Sequence, residues 1–248
     1  MVTGRHTRRS PDDLPPDDTT AFLTLLNELK ATGCNLLVVG DAPREAFTRA
    51  SAQLFGDADV LRHRVLAVTD ATPGIVADRL PDPGEAPRPI AETTRLVTHA
   101  GVPRSAAADA ELPPELADVR ETRIADPELR GLEAALVDAI DDAADAAEHL
   151  SAADLRVGVD SLAPLLDHYG VDVVRRCLEG VGERVRDYRA MAHYVLPVAR
   201  DADPVRALAS QADAVIELRA VEPADRDRNA QQRWHVPARD ITTEWTPL

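Results

Sequence analysis

Two stretches of the 248-residue chain place polar residues where chemistry could be done. In the first, the apolar run 35–39 (NLLVV) is followed by Gly40-Asp41-Ala42-Pro43-Arg44. In the second, 155–159 (LRVGV) ends in Asp160-Ser161. A loop that holds phosphate needs glycines, so that backbone N–H groups can surround the anion. It also needs a lysine for the terminal phosphates and a Ser or Thr hydroxyl for Mg²⁺. With Gly40 as the first glycine of GxxxxGK[ST], the second glycine falls on Glu45, the lysine on Ala46 and the hydroxyl on Phe47. All three requirements fail. Asp41 and Glu45 also bring negative charge to a helix N-terminus, where it satisfies the dipole and repels phosphate. Arg44 is one available cation and Thr48 one hydroxyl, each out of register. The favoured reading of this turn is a strand-to-helix junction without a ligand. An apolar strand ending in an acid, as at Asp160, can present a carboxylate to Mg²⁺, but Asp-Ser at a strand end also caps the next helix, and capping is the reading preferred here.

Other constellations fail sooner. The histidines at 6, 63, 99, 149, 168, 193 and 235 form no i, i+4 pair and no HExxH, so no metal site is expected. His168, beside Tyr169-Gly170, reads as a helix end. Ser161 lies in VDSLA, not in the G-x-S-x-G of a nucleophile elbow. Cys34 and Cys177 read as small core residues. Asp70 reads as a turn residue of Asp70-Ala-Thr-Pro-Gly. The acidic run DAIDDAADAAEHL is a solvated helix face, and the arginines at 175, 176, 184, 186 and 189 are interleaved with acids as a salt-bridged helix surface.

The elements that must position these residues are legible from periodicity. A first helix carries Phe22, Leu25, Leu26 and Leu29 at helical spacing and stops at Gly33. Strands are expected at 35–39, 65–68, 94–98, 155–159, 194–198 and 214–218, with a weak alternation at 119–124. Helices are expected at 43–55, 127–149 and 171–188, with a short one from Asp203-Pro204. The run 127–149 carries an apolar stripe of Leu129, Leu132, Leu136 and Ile140. Segments 232–236 and 241–245 read as terminal antiparallel strands. The stretch 81–118 reads as an irregular insertion or loop around the short strand 94–98, and the proline- and charge-rich residues 1–17 as a disordered tail. Strands alternating with helices predict an α/β fold: one domain over 18–248, a mainly parallel sheet with helices on both faces, and C-terminal antiparallel strands.

Composition bounds the function. Lys and Arg number 28 against 43 Asp and Glu, a net charge of −15, which argues against a sequence-independent grip on nucleic acid or anionic lipid. Lys30 is the single lysine. Near-total loss of lysine in so acidic a chain reads as halophilic, with carboxylates keeping the protein dispersed in high salt, and an acidic protein of a GC-rich genome is the other reading. Two distant cysteines suit a reducing cytoplasm, and no apolar run has the length of a membrane helix.

The order of parts resembles the RecA/KaiC-like ATPases. The resemblance rests on a leading helix, NLLVVG plus helix, LRVGVDSLAPLLDHYG, the long helix through RRCLEGVGERVRDYRAMAHYVLPV, and the ending ADAVIELRA with QQRWHVPARDITTEWTPL. In particular the chain is similar to uncharacterised RecA/KaiC-like, signal-transducer-like proteins of haloarchaea. The resemblance implies vestigial nucleotide-site positions at Gly40 and Asp160, with Arg44 a substitute for the missing lysine. It further implies a non-catalytic regulatory or interaction protein without a cofactor, whose partner is another protein or a further copy of itself. The alternative is an atypical ATPase in signalling, using ATP and Mg²⁺ through Arg44 and Asp160.

Overall fold

Strand residues alternate between two buried faces, and this alternation organises the molecule. The computed structural model describes residues 18–99, 112–125, 128–221 and 230–248; the expected tail at 1–17 lies outside them. Strand β1 (Cys34–Asp41) is buried along its first seven residues. Leu37 and Val39 join one apolar cluster, while Leu36 and Val38 join another on the opposite face. β2 (His63–Val68) divides the same way, as does β6 (Met191–Leu196). Strands covered on both faces are what a parallel sheet requires.

Seven parallel strands form the core of a ten-stranded mixed sheet among the described residues, in the order β7-β1-β6-β5-β2-β3-β4. Here β3 is Thr94–His99, β4 Arg120–Ile124, β5 Leu155–Val159 and β7 Ala214–Ala220. β8 (Ala230–Val236) adds antiparallel to β7, and β9 (Ile241–Thr242) and β10 (Thr246–Pro247) pair antiparallel with β8. The α/β class, the mainly parallel sheet and the antiparallel C-terminus expected from the sequence are all present.

One face is covered by α5 (Arg130–Asp145) and α7 (Val171–Asp187), with α6 (Ala163–Tyr169) and α8 (Asp203–Leu208) beside them. The stripe read from the sequence, Leu129, Leu132, Leu136 and Ile140, is at most 2 % exposed. Arg184 of α7 grips Asp141 of α5 through Nε–Oδ1 at 2.6 Å and Nη2–Oδ2 at 2.7 Å. Arg175, Arg184 and Arg186 are paired with Asp172, Asp141 and Asp213. The opposite face carries α1 (Asp18–Thr32), α2 (Arg44–Phe55) and α3 (Pro73–Arg79).

Two expectations need correction. The stretch Asp70-Ala-Thr-Pro-Gly was expected as a turn with no helix after it, yet Pro73 starts α3 (Pro73–Arg79), because proline is tolerated in the first helical turn. Within 81–118 the strand expected at 94–98 is β3, between β2 and β4, but the helix α4 (Ile90–Thr93) leading into it was not expected. Ile90, Leu96 and Val97 supply buried side chains of this stretch. Residues 100–111 lie outside the described part.

A polar pair is buried beside the core of the α2 face. His193 of β6 lies with Nε2 2.7 Å from Ser51 Oγ and packs edge-on against Phe55, ring centroids 4.8 Å apart. Gly158 of β5 makes room for it, since a Cβ there would stand 2.7 Å from His193 Cε1. Burial, reinforced by Arg79 and Arg156, pushes the His193 pKa down to about 3. The folded state therefore refuses a proton that the unfolded chain accepts near pH 6.5. Stability contributed by neutral His193 is complete above about 6.5 and is lost as pH falls towards 3. Urea unfolding at pH 7 and pH 4.5 is expected to show wild type losing about 2–3 kcal/mol more than His193→Gln. Parallel loss in both proteins would refute this.

Candidate functional site

At the carboxyl edge of a parallel sheet, loops after β1, β2, β5 and β6 converge, and there ligands bind in open α/β folds. In this protein the convergence encloses a cavity of about 110 Å³, lined among others by Arg44, Phe47, Asp70, Arg79, Asp160 and Ser161. Ligand pockets ordinarily span roughly 300–1,000 Å³.

Asp160 is 2 % exposed and its carboxylate is fully engaged. Oδ1 accepts from the Thr69 backbone N–H at 2.7 Å, and Oδ2 from the N–H groups of Asp70 at 3.1 Å and Ala71 at 2.5 Å. The Thr69 hydroxyl lies 2.6 Å from Oδ1 and 2.5 Å from the Ser161 carbonyl, with one proton for the two acceptors. Asp160 thus ties the end of β5 to the turn between β2 and α3. The capping reading is corrected: Asp160 does not cap α6, whose N-cap is Leu162 without a side-chain bond. Ser161 Oγ accepts a long bond from Ala163 N at 3.3 Å instead.

Gly40 has φ of +136°, a region open to glycine but not to L side chains. A Cβ there would overlap the Leu218 carbonyl oxygen of β7, with which Gly40 is in register. Its N–H donates to Val198 O at 2.8 Å. Gly40 is therefore demanded by the close approach of β1 and β7. Only Ala42 and Pro43 separate β1 from α2, and Pro43 has no N–H to offer an anion.

Arg44 lines the cavity and pairs with Asp70 at 2.9 Å, both side chains about half exposed. Such a pair contributes roughly 0–1 kcal/mol. Arg44 and Asp160 are brought to one cavity, and Gly40 lies within the sheet next to it. Asp70, read from the sequence as a turn residue, is both Arg44's partner and a donor to Asp160 through its N–H.

Arg79 was not anticipated. It ends α3, is 4 % exposed, and donates through Nη2 to Asp160 O at a long 3.4 Å. Its Nε and Nη1 have no hydrogen-bond partner among the described residues. Burial depresses its pKa, opposed chiefly by Asp160. The only sign of it in the sequence was an arginine inside the short apolar segment GIVADRL. The cavity therefore carries two cations and two carboxylates, balanced among themselves.

The other sequence candidates are placed elsewhere. His168 sits in the last turn of α6. Cys34 and Cys177 are buried free thiols whose pKa values burial pushes up to about 12, the reverse of what a nucleophilic cysteine needs. Among the described residues, no group of three or more His, Cys, Asp or Glu is placed to hold a metal ion, and no helix is long and apolar enough to cross a membrane.

No curated protein matches the chain. A family model does match, over residues 33–218. That span begins just before β1 and ends within β7, so it takes in the seven parallel strands and every residue of the carboxyl-edge cavity while leaving out α1 and β8–β10. The matched span is three quarters of the chain, and the chain belongs to the family described as Family of unknown function (DUF7504).

Proposed function

We propose that this protein is a non-catalytic relative of the RecA/KaiC-like ATPases, acting by binding another protein or a further copy of itself. The observation that carries this reading is the engaged state of Asp160. A carboxylate that must hold Mg²⁺ needs free lone pairs, whereas this one accepts from three backbone N–H groups and a neighbouring hydroxyl. The short β1–α2 junction, with Pro43 offering no N–H, and the small cavity of about 110 Å³ support it. That the function is carried by protein contacts rests on analogy of fold.

Calorimetric titration with Mg-ATP, in molar KCl to screen the −15 charge, tests the proposal. No saturable heat and no thermal shift are expected from folded protein. Micromolar binding that Arg44→Ala weakens tenfold or more would overturn it and restore an atypical ATPase. Arg44→Ala suits this test because its exposed ion pair contributes little to folding.

A further inference from the structure

At the opposite, amino-terminal end of the parallel strands, α1, α2 and β8 surround a second cavity of about 290 Å³. Leu54, Ile216 and Trp234 give it apolar walls, and Lys30, Arg62 and Arg156 face it with one carboxylate, Asp57. In a chain of 43 acids and 28 bases, this is a local reversal of sign. It gathers the chain's single lysine.

Arg156 is its most demanding member. It is 7 % exposed, in β5, on the same face as Gly158 and His193. Its Nη1 reaches two uncharged acceptors, Leu54 O at 3.4 Å and Met191 Sδ at 2.7 Å, and its Nε has no hydrogen-bond partner among the described residues. Arg62 is already paired with Asp154. Buried Arg64 lies close by, spending its donors on the carbonyls of Phe55, Arg62 and Asp57. A buried guanidinium without an anionic partner costs several kcal/mol, and a bound anion would offset that cost. Burial and Arg62 accordingly depress the Arg156 pKa to about 10.

We propose that this cavity is a binding site for a small organic anion, a carboxylate or phosphate monoester with an apolar body. Arg156 and Lys30 take the charged head, and the body lies against Leu54, Ile216 and Trp234. The volume is close to the lower end of small-molecule pockets, and the lining has their composition: apolar walls with a few polar groups. The site shares no lining residue with the carboxyl-edge cavity and does not depend on how that cavity is read.

Benzoate, phenyl phosphate, inorganic phosphate and neutral benzyl alcohol, titrated calorimetrically in ~0.5 M KCl, test it. At least one of the two organic anions is expected to bind saturably, at millimolar Kd or tighter, with benzyl alcohol and inorganic phosphate at least tenfold weaker. Benzoate against phenyl phosphate then separates a carboxylate from a phosphate ligand. Arg156→Leu is expected to lose tenfold or more in affinity while its urea midpoint stays level or rises, because a buried charge has been removed. Lys30→Gln, on an exposed position of α1, is expected to weaken binding several-fold and leave the fold intact, and it serves if Arg156→Leu does not fold. Absence of saturable binding by both organic anions, equal binding of benzyl alcohol or inorganic phosphate, or undiminished affinity in either folded variant would overturn the proposal.

Discussion

Replacing Asp160 by alanine is expected to destabilise the protein by about 3–5 kcal/mol, a cost set by removing one member of a buried charged network. The substitution orphans the N–H groups of Thr69, Asp70 and Ala71 and takes away one acceptor of the Thr69 hydroxyl. It also removes the carboxylate that most offsets the buried charge of Arg79. Asp160→Asn keeps the shape and one acceptor oxygen but aims an amide NH₂ at backbone donors, so an intermediate loss is expected. Urea unfolding followed by far-UV circular dichroism in molar KCl measures both. A carboxylate held free for Mg²⁺ would behave in the opposite way, because its removal leaves the fold as stable and abolishes only metal-nucleotide binding. Alanine within ~1 kcal/mol of wild type would therefore contradict the role of Asp160 as a tie between β5 and the β2–α3 turn. Reading the sequence, one would expect Asp160→Ala to leave partner binding nearly unchanged; with these bonds, binding can be compared only in protein first shown to be folded.

The second large effect is expected at Gly40. Gly40→Ala places a Cβ inside the Leu218 carbonyl at a φ that L residues rarely adopt. Two central strands, β1 and β7, would have to separate for it to fit. A loss of at least ~4 kcal/mol is expected, seen as little or no folded protein, since the loss is comparable to the whole stability of many domains. A phosphate-loop glycine would respond differently: the variant would fold and lose affinity for nucleotide alone. Recovery of well-folded Gly40→Ala at wild-type stability would show that β1 and β7 do not approach so closely.

The legible parts of this protein were those in which a residue's environment repeats along the chain. β5 was read at its true boundaries, and α7 within one residue, because LRVGV is buried throughout and the seam Val171, Val174, Leu178, Val181 and Val185 recurs at helical spacing, all but half-buried Val171 being buried. β4 was legible only weakly, since its residues RETRI lie at the sheet edge and are largely exposed. α3 was hidden because Thr-Pro-Gly is a turn signal and a helix start at once; burial of Val76 and Arg79 decides which. The carboxyl-edge candidates were found through strand ends, but their roles were not. Arg79 shows in the sequence only as an arginine inside GIVADRL, and its place beside Asp160 depends on α3 packing over the end of β5.

What the sequence by itself determined is the α/β class, the positions of most strands and the lack of a GxxxxGK[ST] pattern after β1, because each follows from residue type at short, fixed spacing. Only the tertiary structure decided what Gly40 and Asp160 are for and which buried arginine nitrogens have no partner among the described residues. Asp160 meets its donors 89 to 91 residues away, and Gly40 meets Leu218 of a neighbouring strand 178 residues later. Contacts of that range are set by strand order, which short-range periodicity does not encode.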